Sequence, residues 1–179
     1  MSSSPITATP SQAKQLKAGE PDFSPAQFRA ALGSFATGVT IVTARNEHGE
    51  LVGMTANSFN SVSLEPPLVL WSLSRNAGSM ATFANAQHYA INVLAAEQEA
   101  LAKRFATKGI DRWAGVSFTD GRNGAPLIIG AIATFECFNR SQHQEGDHVI
   151  FVGEVERCDK HQGSPLLYHG GRFYTDHPL

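Results

Sequence analysis

Short apolar runs, rich in β-branched residues and separated by connections of hairpin length, constrain the fold of this chain most strongly. One pair begins at Val39 and at Leu51, and a polar loop containing Gly49 separates the two runs. Antiparallel strands can be joined by such short connections, whereas parallel strands need a long crossover. The sequence predicts six or seven strands and only two or three short helices, which disfavours a parallel βαβ sheet. It favours a closed antiparallel β-barrel, which leaves few strand edges exposed.

The strands are predicted from β-branched composition and from alternating or continuous apolar runs. The predicted strands are residues 39–44, a strand beginning at Leu51, and residues 68–73, 88–94, 127–139 and 148–158. Two polar stretches, residues 107–126 and 140–147, are predicted to be loops. Residues 165–174 form a short final element that ends on a glycine pair and aromatic residues.

The first helix has a clear start signal. Ser24 is a favourable N-cap, Pro25 suits the first helical position, and Gln27 completes a capping box. One apolar face then follows helical spacing, formed by Phe28, Ala31, Leu32 and Phe35. This helix is predicted to end near Gly38, and two further helices are predicted over residues 80–85 and 95–105.

Composition limits the class of protein. The 179 residues predict one domain, residues 23–179, after a mobile tail over residues 1–22 that is rich in Ser, Thr, Pro and Ala. A net charge of −2 offers no basic face, so no nucleic-acid partner is expected. No apolar run approaches the ~20 residues that span a bilayer, so no membrane partner is expected. Two cysteines without a disulfide framework, and no secretory signal, predict a cytoplasmic protein.

Common catalytic and nucleotide-binding motifs are missing from the sequence. Residues 33–38 have the glycine spacing of a P-loop but lack its lysine, and no Gly-x-Gly-x-x-Gly occurs. The histidines lack the spacing of a metal site, so no metal is predicted. Cys137 lies inside a predicted strand, where a buried, inert thiol is favoured over a nucleophile.

Residues 53–73 contain a strand, a turn of small polar residues and a second apolar strand. Small side chains allow a flat ligand to lie close to the backbone, and neutral donors and acceptors can meet its polar rim. Those groups are Thr55, Asn57, Ser58, Ser61 and Ser63. A simple polar connection between two strands remains the alternative interpretation.

Two later features are also candidates. Gly146-Asp147-His148 opens a strand and would place an imidazole at the rim of a barrel, although a plain hairpin turn explains it nearly as well. Residues 168–173 combine a glycine pair with Arg172 and flanking aromatics, which suits a phosphate or a planar ring. The alternative is a C-terminal element that only packs its aromatic side chains.

Five segments, in this order along the chain, match the pattern of a known family. They are residues 35–43 (FATGVTIVT), 53–67 (GMTANSFNSVSLEPP), 92–94 (NVL), 146–155 (GDHVIFVGEV) and 168–173 (YHGGRF). From about Phe28 to Tyr174 the chain resembles the short-chain flavin reductases, the reductase components of two-component flavin-dependent monooxygenases. The resemblance implies a mainly β fold: an antiparallel, Greek-key-like, FMN-binding split β-barrel with two or three short flanking α-helices.

The resemblance also implies a set of site residues. FMN or FAD would bind along three segments, made of Thr37, Gly38, Val39 and Thr40, of Thr55, Ala56, Asn57 and Ser58, and of Ser61, Val62 and Ser63. The flavin phosphate would be held with the help of Ser74, Asn76 and Ser79. The nicotinamide nucleotide would meet the catalytic-site residue His148 and the end formed by Gly171, Arg172 and Phe173.

The family implies a homodimer that reduces flavin with NADH or NADPH and passes reduced flavin to a separate monooxygenase, typically in aromatic degradation. NADH is favoured, because Arg172 alone makes no clamp for a 2′-phosphate. The cofactors carry the chemistry, since hydride passes from nicotinamide to flavin N5. Neutral groups predominate and only Arg75 lies near the predicted phosphate turn, so we expect flavin to dissociate as a substrate.

Two other functions remain open at this stage. A split-barrel protein could bind flavin or haem without turnover. An enzyme similar to pyridoxamine-phosphate oxidase ranks last, because residues 53–73 contain none of the basic side chains that its phosphate would need.

Overall fold

The computed structural model describes residues 19–176, and most of the regular structure in that range is antiparallel β. The predicted tail lies outside the described residues, except for residues 19–22, which are exposed and have neither helix nor strand. The strands, in chain order, are β1 Thr37–Gly38, β2 Thr40–Arg45, β3 Leu51–Ala56, β4 Asn60–Leu64, β5 Pro67–Ser74, β6 His88–Val93, β7 Phe118–Asp120, β8 Pro126–Ile128, β9 Ala133–Glu145, β10 His148–Lys160, β11 Leu166–His169 and β12 Arg172–Thr175. The α-helices are α1 Pro25–Gly33, α2 Met80–Asn85 and α3 Glu99–Ala106, and a 3-10 turn over Ala96–Gln98 precedes α3.

The strands form three sheets. Seven strands pair in the order β3-β2-β6-β9-β10-β5-β4, three pair as β1-β11-β12, and β7 pairs with β8. The prediction of a mainly β, antiparallel fold with short helices is therefore confirmed. Closure is not: within residues 19–176, no pairing joins the edge strands β3 and β4 of the large sheet. Strand pairing among the described residues therefore does not close the sheet into the barrel predicted from the sequence.

Trp71 lies at the centre of the larger hydrophobic core. It is fully buried on β5, between Val69 and Leu73 on the same face. Its ring stacks on Phe151 of β10 at 4.7 Å between ring centroids and meets the edge of Phe83 of α2 at 4.9 Å. Aromatic pairs in these geometries contribute ~0.5–1.5 kcal/mol beyond their buried area. The packing fixes α2 against the paired strands β5 and β10.

A second core cluster fixes α3 against the opposite part of the fold. Phe105 and Ala102 of α3 are fully buried beside Ile41 of β2 and Leu166 of β11. The Thr55 hydroxyl of β3 donates to the Ala102 carbonyl over 2.6 Å. This side-chain hydrogen bond and the apolar packing together hold the C-terminal half of α3 next to the end of β3.

Helix α1 begins as predicted but ends early. The Gln27 amide N–H donates to the Ser24 hydroxyl over 3.2 Å, and the Ser24 amide N–H donates to the Gln27 side chain over 2.8 Å, which completes the capping box. The helix stops at Gly33 and not near Gly38, because residues 37–38 pair with β11 instead. Its apolar face is not covered: Phe28, Leu32 and Phe35 are 49%, 58% and 73% exposed.

The C-terminal half differs from the prediction in two places. The strand predicted over residues 127–139 is divided into β8 and β9 by a turn in which Gly130 has a φ of 87°. Residues 140–145 are not a loop but the polar end of β9, paired with β10 as far as a tight turn at Gly146. Both faces of this hairpin end are exposed. The strands pair there through their backbones, and the sequence shows no alternation of apolar and polar residues because neither face packs against the core. Strands β4 and β7 were also absent from the prediction.

Gly153 is the position of β10 where the core has no space for a side chain. A Cβ there would lie 2.3 Å from the Tyr89 hydroxyl oxygen and 3.0 Å from the Cys137 Cβ. We expect Gly153→Ala to lower the free energy of unfolding in urea by about 1–3 kcal/mol, the usual cost of overpacking. The matched control is Gly38→Ala, since a Cβ at this strand position meets no heavy atom within 4 Å. In a Tyr89→Phe background the cost should shrink, and equal stability of Gly153→Ala and the wild-type chain would contradict the packing argument.

Candidate functional site

An open cleft of about 780 Å³ lies between the end of β3, the end of β5 and the C-terminus of α3. Its volume falls within the range of ~300–1,000 Å³ that is usual for small-molecule sites. It brings together eight of the residues predicted from the sequence, namely Thr55, Ala56, Asn57, Ser58, Ser74, Asn76, Ser79 and His148. Residues more than ninety positions apart in the sequence therefore share one cavity.

The polar groups at the end of β3 have two different roles. The Ser58 hydroxyl accepts from the Ser72 amide over 2.9 Å and donates to the Ser72 carbonyl over 3.2 Å, which ties the two walls of the cleft together. The Thr55 hydroxyl donates to the Ala102 carbonyl of α3. Asn57 is exposed and lines the cleft, so its amide is available to a ligand. Ala56 is buried and small, which keeps the floor of the cleft open.

A tight turn after β5 forms the second polar wall. The Ala77 amide donates to the Ser74 carbonyl over 2.9 Å, and this bond closes the turn. Ser79 occupies the N-cap position of α2, but its side chain makes no capping hydrogen bond. Asn76 and Ser79 therefore present an amide and a hydroxyl to the cleft.

His148 begins β10 directly opposite Ser74 of β5, and this pairing places it at the rim of the cleft. Its Nδ1 lies 2.7 Å from the Asp147 carboxylate, and the hydrogen bond to His148 lowers the pKa of Asp147 below its usual value. The Arg75 amide donates to the Asp147 carbonyl over 3.0 Å and fastens the hairpin end to the turn after β5. The hairpin turn itself delivers the imidazole to the cleft, and contact between His148 and the nicotinamide nucleotide stays a prediction.

Two cations that line the cleft were missed by sequence reasoning. Lys108 and Arg112 lie in the segment after α3, which was predicted only as a loop. The Arg112 guanidinium donates to the Thr107 carbonyl over 2.9 Å and to the Gly53 carbonyl over 3.0 Å. Within residues 19–176, neither cation forms an ion pair with an acidic side chain. Sequence reasoning identified only Arg75 as a cation near the phosphate turn, and Lys108 and Arg112 add two cations to the lining of the cleft. The signal that could have identified them is the pair of basic residues that follows the helix.

The other residues predicted to contact flavin or nicotinamide lie outside the cleft in the single chain. Val39 is buried in the second core cluster, and the Thr40 hydroxyl donates to the Ala56 carbonyl over 2.8 Å. Thr37 and Gly38 form β1. Ser61, Val62 and Ser63 lie on the edge strand β4. Gly171, Arg172 and Phe173 lie on the C-terminal hairpin, where the Phe173 ring centroid is 5.7 Å from the Lys103 ammonium. None of these residues lines the cleft, and their contacts with flavin or nicotinamide stay predictions.

Other candidate chemistry contributes little. Burial, followed by the nearby carboxylates of Glu156 and Glu136, raises the pKa of the Cys137 thiol from 9.0 to about 12, so this thiol stays protonated near neutral pH. In the part of the chain that the structure describes, no group of three or more His, Cys, Asp or Glu residues is placed to hold a metal ion. Among residues 19–176, no helix is both long enough and apolar enough to cross a bilayer.

The groups lining the cleft fit a flavin. Met54, Ala56 and Phe105 give it apolar surface for a planar ring, and Asn57 offers a neutral amide for the polar edge of that ring. An anionic phosphate would meet the two cations that line the cleft, Lys108 and Arg112. A neutral heterocycle that carries a phosphate combines these two requirements.

Comparison with known proteins agrees with this chemistry. The family model described as flavin reductase like domain matches residues 32–176. The chain is 47% identical to FMN reductase (NADH) SmoA of Agrobacterium fabrum over 146 residues, which are 82% of this chain and 83% of that protein. It is 40% identical to the reductase component of the flavin-dependent trigonelline monooxygenase of Acinetobacter baylyi, over 83% of this chain but only 48% of that protein. The chain thus spans about half the length of some of its relatives.

Solved structures give the same result. The NADH:FAD oxidoreductase SgcE6 of Streptomyces globisporus, in complex with NAD and FAD fragments, has a TM-score of 0.83 and 39% identity, over 91% of this chain and 98% of that one. The styrene monooxygenase flavin reductase of Pseudomonas putida has a TM-score of 0.78 and 34% identity, over 85% and 97% of the two chains. The family predicted from the five sequence segments is confirmed, and this chain belongs to the flavin reductase like domain family.

Proposed function

We propose that this chain uses NADH to reduce FMN or FAD, and releases the reduced flavin to a separate flavin-dependent monooxygenase. The observation that carries the proposal is the cleft itself, which has a small-residue floor at Ala56 and two cations, Lys108 and Arg112, without an ion pair among residues 19–176. Relatives of this chain include an FMN reductase that uses NADH and a monooxygenase reductase component, which supports both halves of the proposal.

The residues of the cleft divide the task of binding. Met54, Ala56 and Phe105 would contact the flavin ring, and Lys108 and Arg112 would meet its phosphate. His148 would contact the nicotinamide nucleotide at the rim. A bound flavin supplies the redox chemistry, because it accepts a hydride from the nicotinamide.

The chain itself contributes position and electrostatics. The hydrogen bonds from Ser58 to Ser72 and from Thr55 to Ala102 fix the distance between the walls. Fixed donors and cations stabilise negative charge more strongly in a cleft with little water than in bulk solvent. No side chain needs to act as an acid or base on an organic substrate.

The quaternary structure and the barrel are parts of the same proposal. The apolar face of α1 is exposed in the single chain, and Leu64 is exposed at the end of edge strand β4. Burying such surface against a second copy would be favourable, so we propose a homodimer.

We also propose the split barrel that the sequence predicts, because β3 and β5 lie close together although no pairing joins them within residues 19–176. Two free cysteines, Cys137 and Cys158, support a cytoplasmic location.

The decisive test is the dependence of turnover on free flavin. The purified chain is desalted, and oxidation of NADH, or of NADPH in a parallel series, is followed while FMN or FAD is added. We expect a saturable response with a flavin Kd in the micromolar range, about −8 kcal/mol. A flavin-retaining preparation that is fully active without added flavin would contradict release. A chain that binds flavin but never oxidises NADH would instead be a binding protein without turnover.

The role of Lys108 can be separated from flavin binding in general. We expect Lys108→Gln to weaken FMN binding by about tenfold, or ~1.4 kcal/mol, because a charged hydrogen-bond donor to the phosphate is lost. Riboflavin is the matched control ligand, since it has the same ring without the phosphate, and its affinity should not change. Fluorescence titration measures both constants. An equal loss for the two ligands would place Lys108 at the ring instead.

His148 is expected to affect the nicotinamide nucleotide more than the flavin. His148→Ala should reduce kcat/KM for NADH by about tenfold, or ~1.4 kcal/mol, while the flavin Kd stays unchanged. The control is His143→Ala, because His143 lies on the same hairpin but outside the cleft. If His148→Ala weakens flavin binding in the titration, the residue serves the flavin or the fold, and the assignment is wrong.

A further inference from the structure

Met54 lines the cleft from the same face of β3 as Ala56, because residues two positions apart on a strand point the same way. Its side chain is half-buried and packs against the larger hydrophobic core. Among the described residues that line the cleft, only Met54 contains sulfur. A thioether packs favourably against an aromatic ring, so the Met54 sulfur would lie against a flavin bound there.

Met80 provides an internal comparison for Met54. It begins α2, is also half-buried and packs against the same hydrophobic core. It does not line the cleft. The two thioethers are therefore similarly accessible to an oxidant dissolved in the solvent, but only Met54 meets an oxidant that forms inside the cleft.

We propose that Met54 is a site of sulfoxide formation, and that this modification slows the reductase when reduced flavin is not carried away. The inference rests on the proposed function, because the chain must first produce reduced flavin in the cleft. The co-reactant is dioxygen, which reaches the flavin because the cleft is open to solvent.

Atoms and electrons balance in two steps. Dioxygen takes two electrons and two protons from reduced flavin, which returns to its oxidised form, and hydrogen peroxide is produced. The Met54 sulfur then attacks one peroxide oxygen with a lone pair. An S–O bond forms as the O–O bond breaks, and the second oxygen leaves as water with both protons. Contact between the ring and the thioether gives the peroxide a high effective concentration at Met54.

A sulfoxide at Met54 would oppose flavin binding. The sulfoxide is polar where the thioether is apolar, so the cleft loses part of the apolar surface that we assign to the flavin ring. Reduced flavin that leaves the cleft produces no peroxide there, so the sulfoxide accumulates during turnover without an oxygenase. Methionine sulfoxide reductases restore the thioether, which makes the change reversible.

Peptide mass spectrometry after turnover tests the modification directly. The chain is cycled with FMN and an excess of NADH in air, with catalase present to remove peroxide from the solvent, and a matched sample is cycled without oxygen. We expect the fraction of Met54 that carries one added oxygen atom to be at least tenfold higher in air. The same fraction for Met80 should change less than twofold. Hydrogen peroxide added to the flavin-free chain without NADH is the control, and it should oxidise both residues to similar extents.

The effect on flavin binding is measured separately by fluorescence titration of the desalted chain. We expect the fraction of chains that bind FMN with the original affinity to fall in step with Met54 oxidation. Treatment with a methionine sulfoxide reductase should restore it. Met54→Leu removes the sulfur with little change in volume, and its FMN Kd, compared with its own value before cycling, should not change. Met80→Leu is the matched control and should lose FMN binding as the wild-type chain does.

Three results would overturn the assignment while the proposed function survives. NADH consumption in air that leaves Met54 unmodified is one, and oxidation of Met80 as extensive as that of Met54 in the cycled chain is another. The third is complete oxidation of Met54 with unchanged FMN binding, which would remove the effect on the reductase. A chain that consumes no NADH with either flavin would instead overturn the proposed function itself.

Discussion

The close approach of α3 and the following segment to Gly53 of β3 is the constraint on which the cleft depends. A Cβ at this position would lie 2.5 Å from the Phe105 ring and 3.2 Å from the Trp113 ring. The absent side chain therefore lets both aromatic residues pack against the strand. The Gly53 carbonyl accepts a hydrogen bond from the Arg112 guanidinium. Gly53 thus sets how closely α3 and the following segment approach β3, and its carbonyl holds Arg112 in place.

The other wall depends on strand pairing. The antiparallel register of β5 and β10 sets Ser74 opposite His148, and the Trp71–Phe151 stack lies three residues further along both strands. The core therefore holds the register that brings the imidazole to the turn after β5. Because a one-residue slip would reverse every side chain on a strand, this register is strongly specified. One side of the cleft, at α3, is therefore positioned by Gly53. The other side, at β5 and β10, is positioned by aromatic packing in the core.

Local signals in the sequence were read correctly where local physics decides the outcome. The capping box of α1 involves two residues that are three positions apart in the sequence. The small residue Ala56 ends a strand that was itself predicted, and it lines the cleft. Lys108 and Arg112 were missed because they reach the cleft only through the packing of α3, about fifty residues beyond Ala56 in the sequence. The polar end of β9 was read as a loop because pairing within an exposed hairpin leaves no apolar pattern. The family was identified because five separated segments match in order, a signal that no single segment carries.

The contrast between the two cysteines has a practical consequence for studying transfer of reduced flavin. Cys137 is buried and its thiol stays protonated, whereas Cys158 lies exposed near the end of β10. Alkylating dyes react with the thiolate, so the unmodified chain offers one attachment point for a maleimide fluorophore. Such a label requires no cysteine-free background, and its anisotropy would report association with an oxygenase at equilibrium. The natural sequence is therefore already suited to measuring whether reduced flavin travels by diffusion or within a complex.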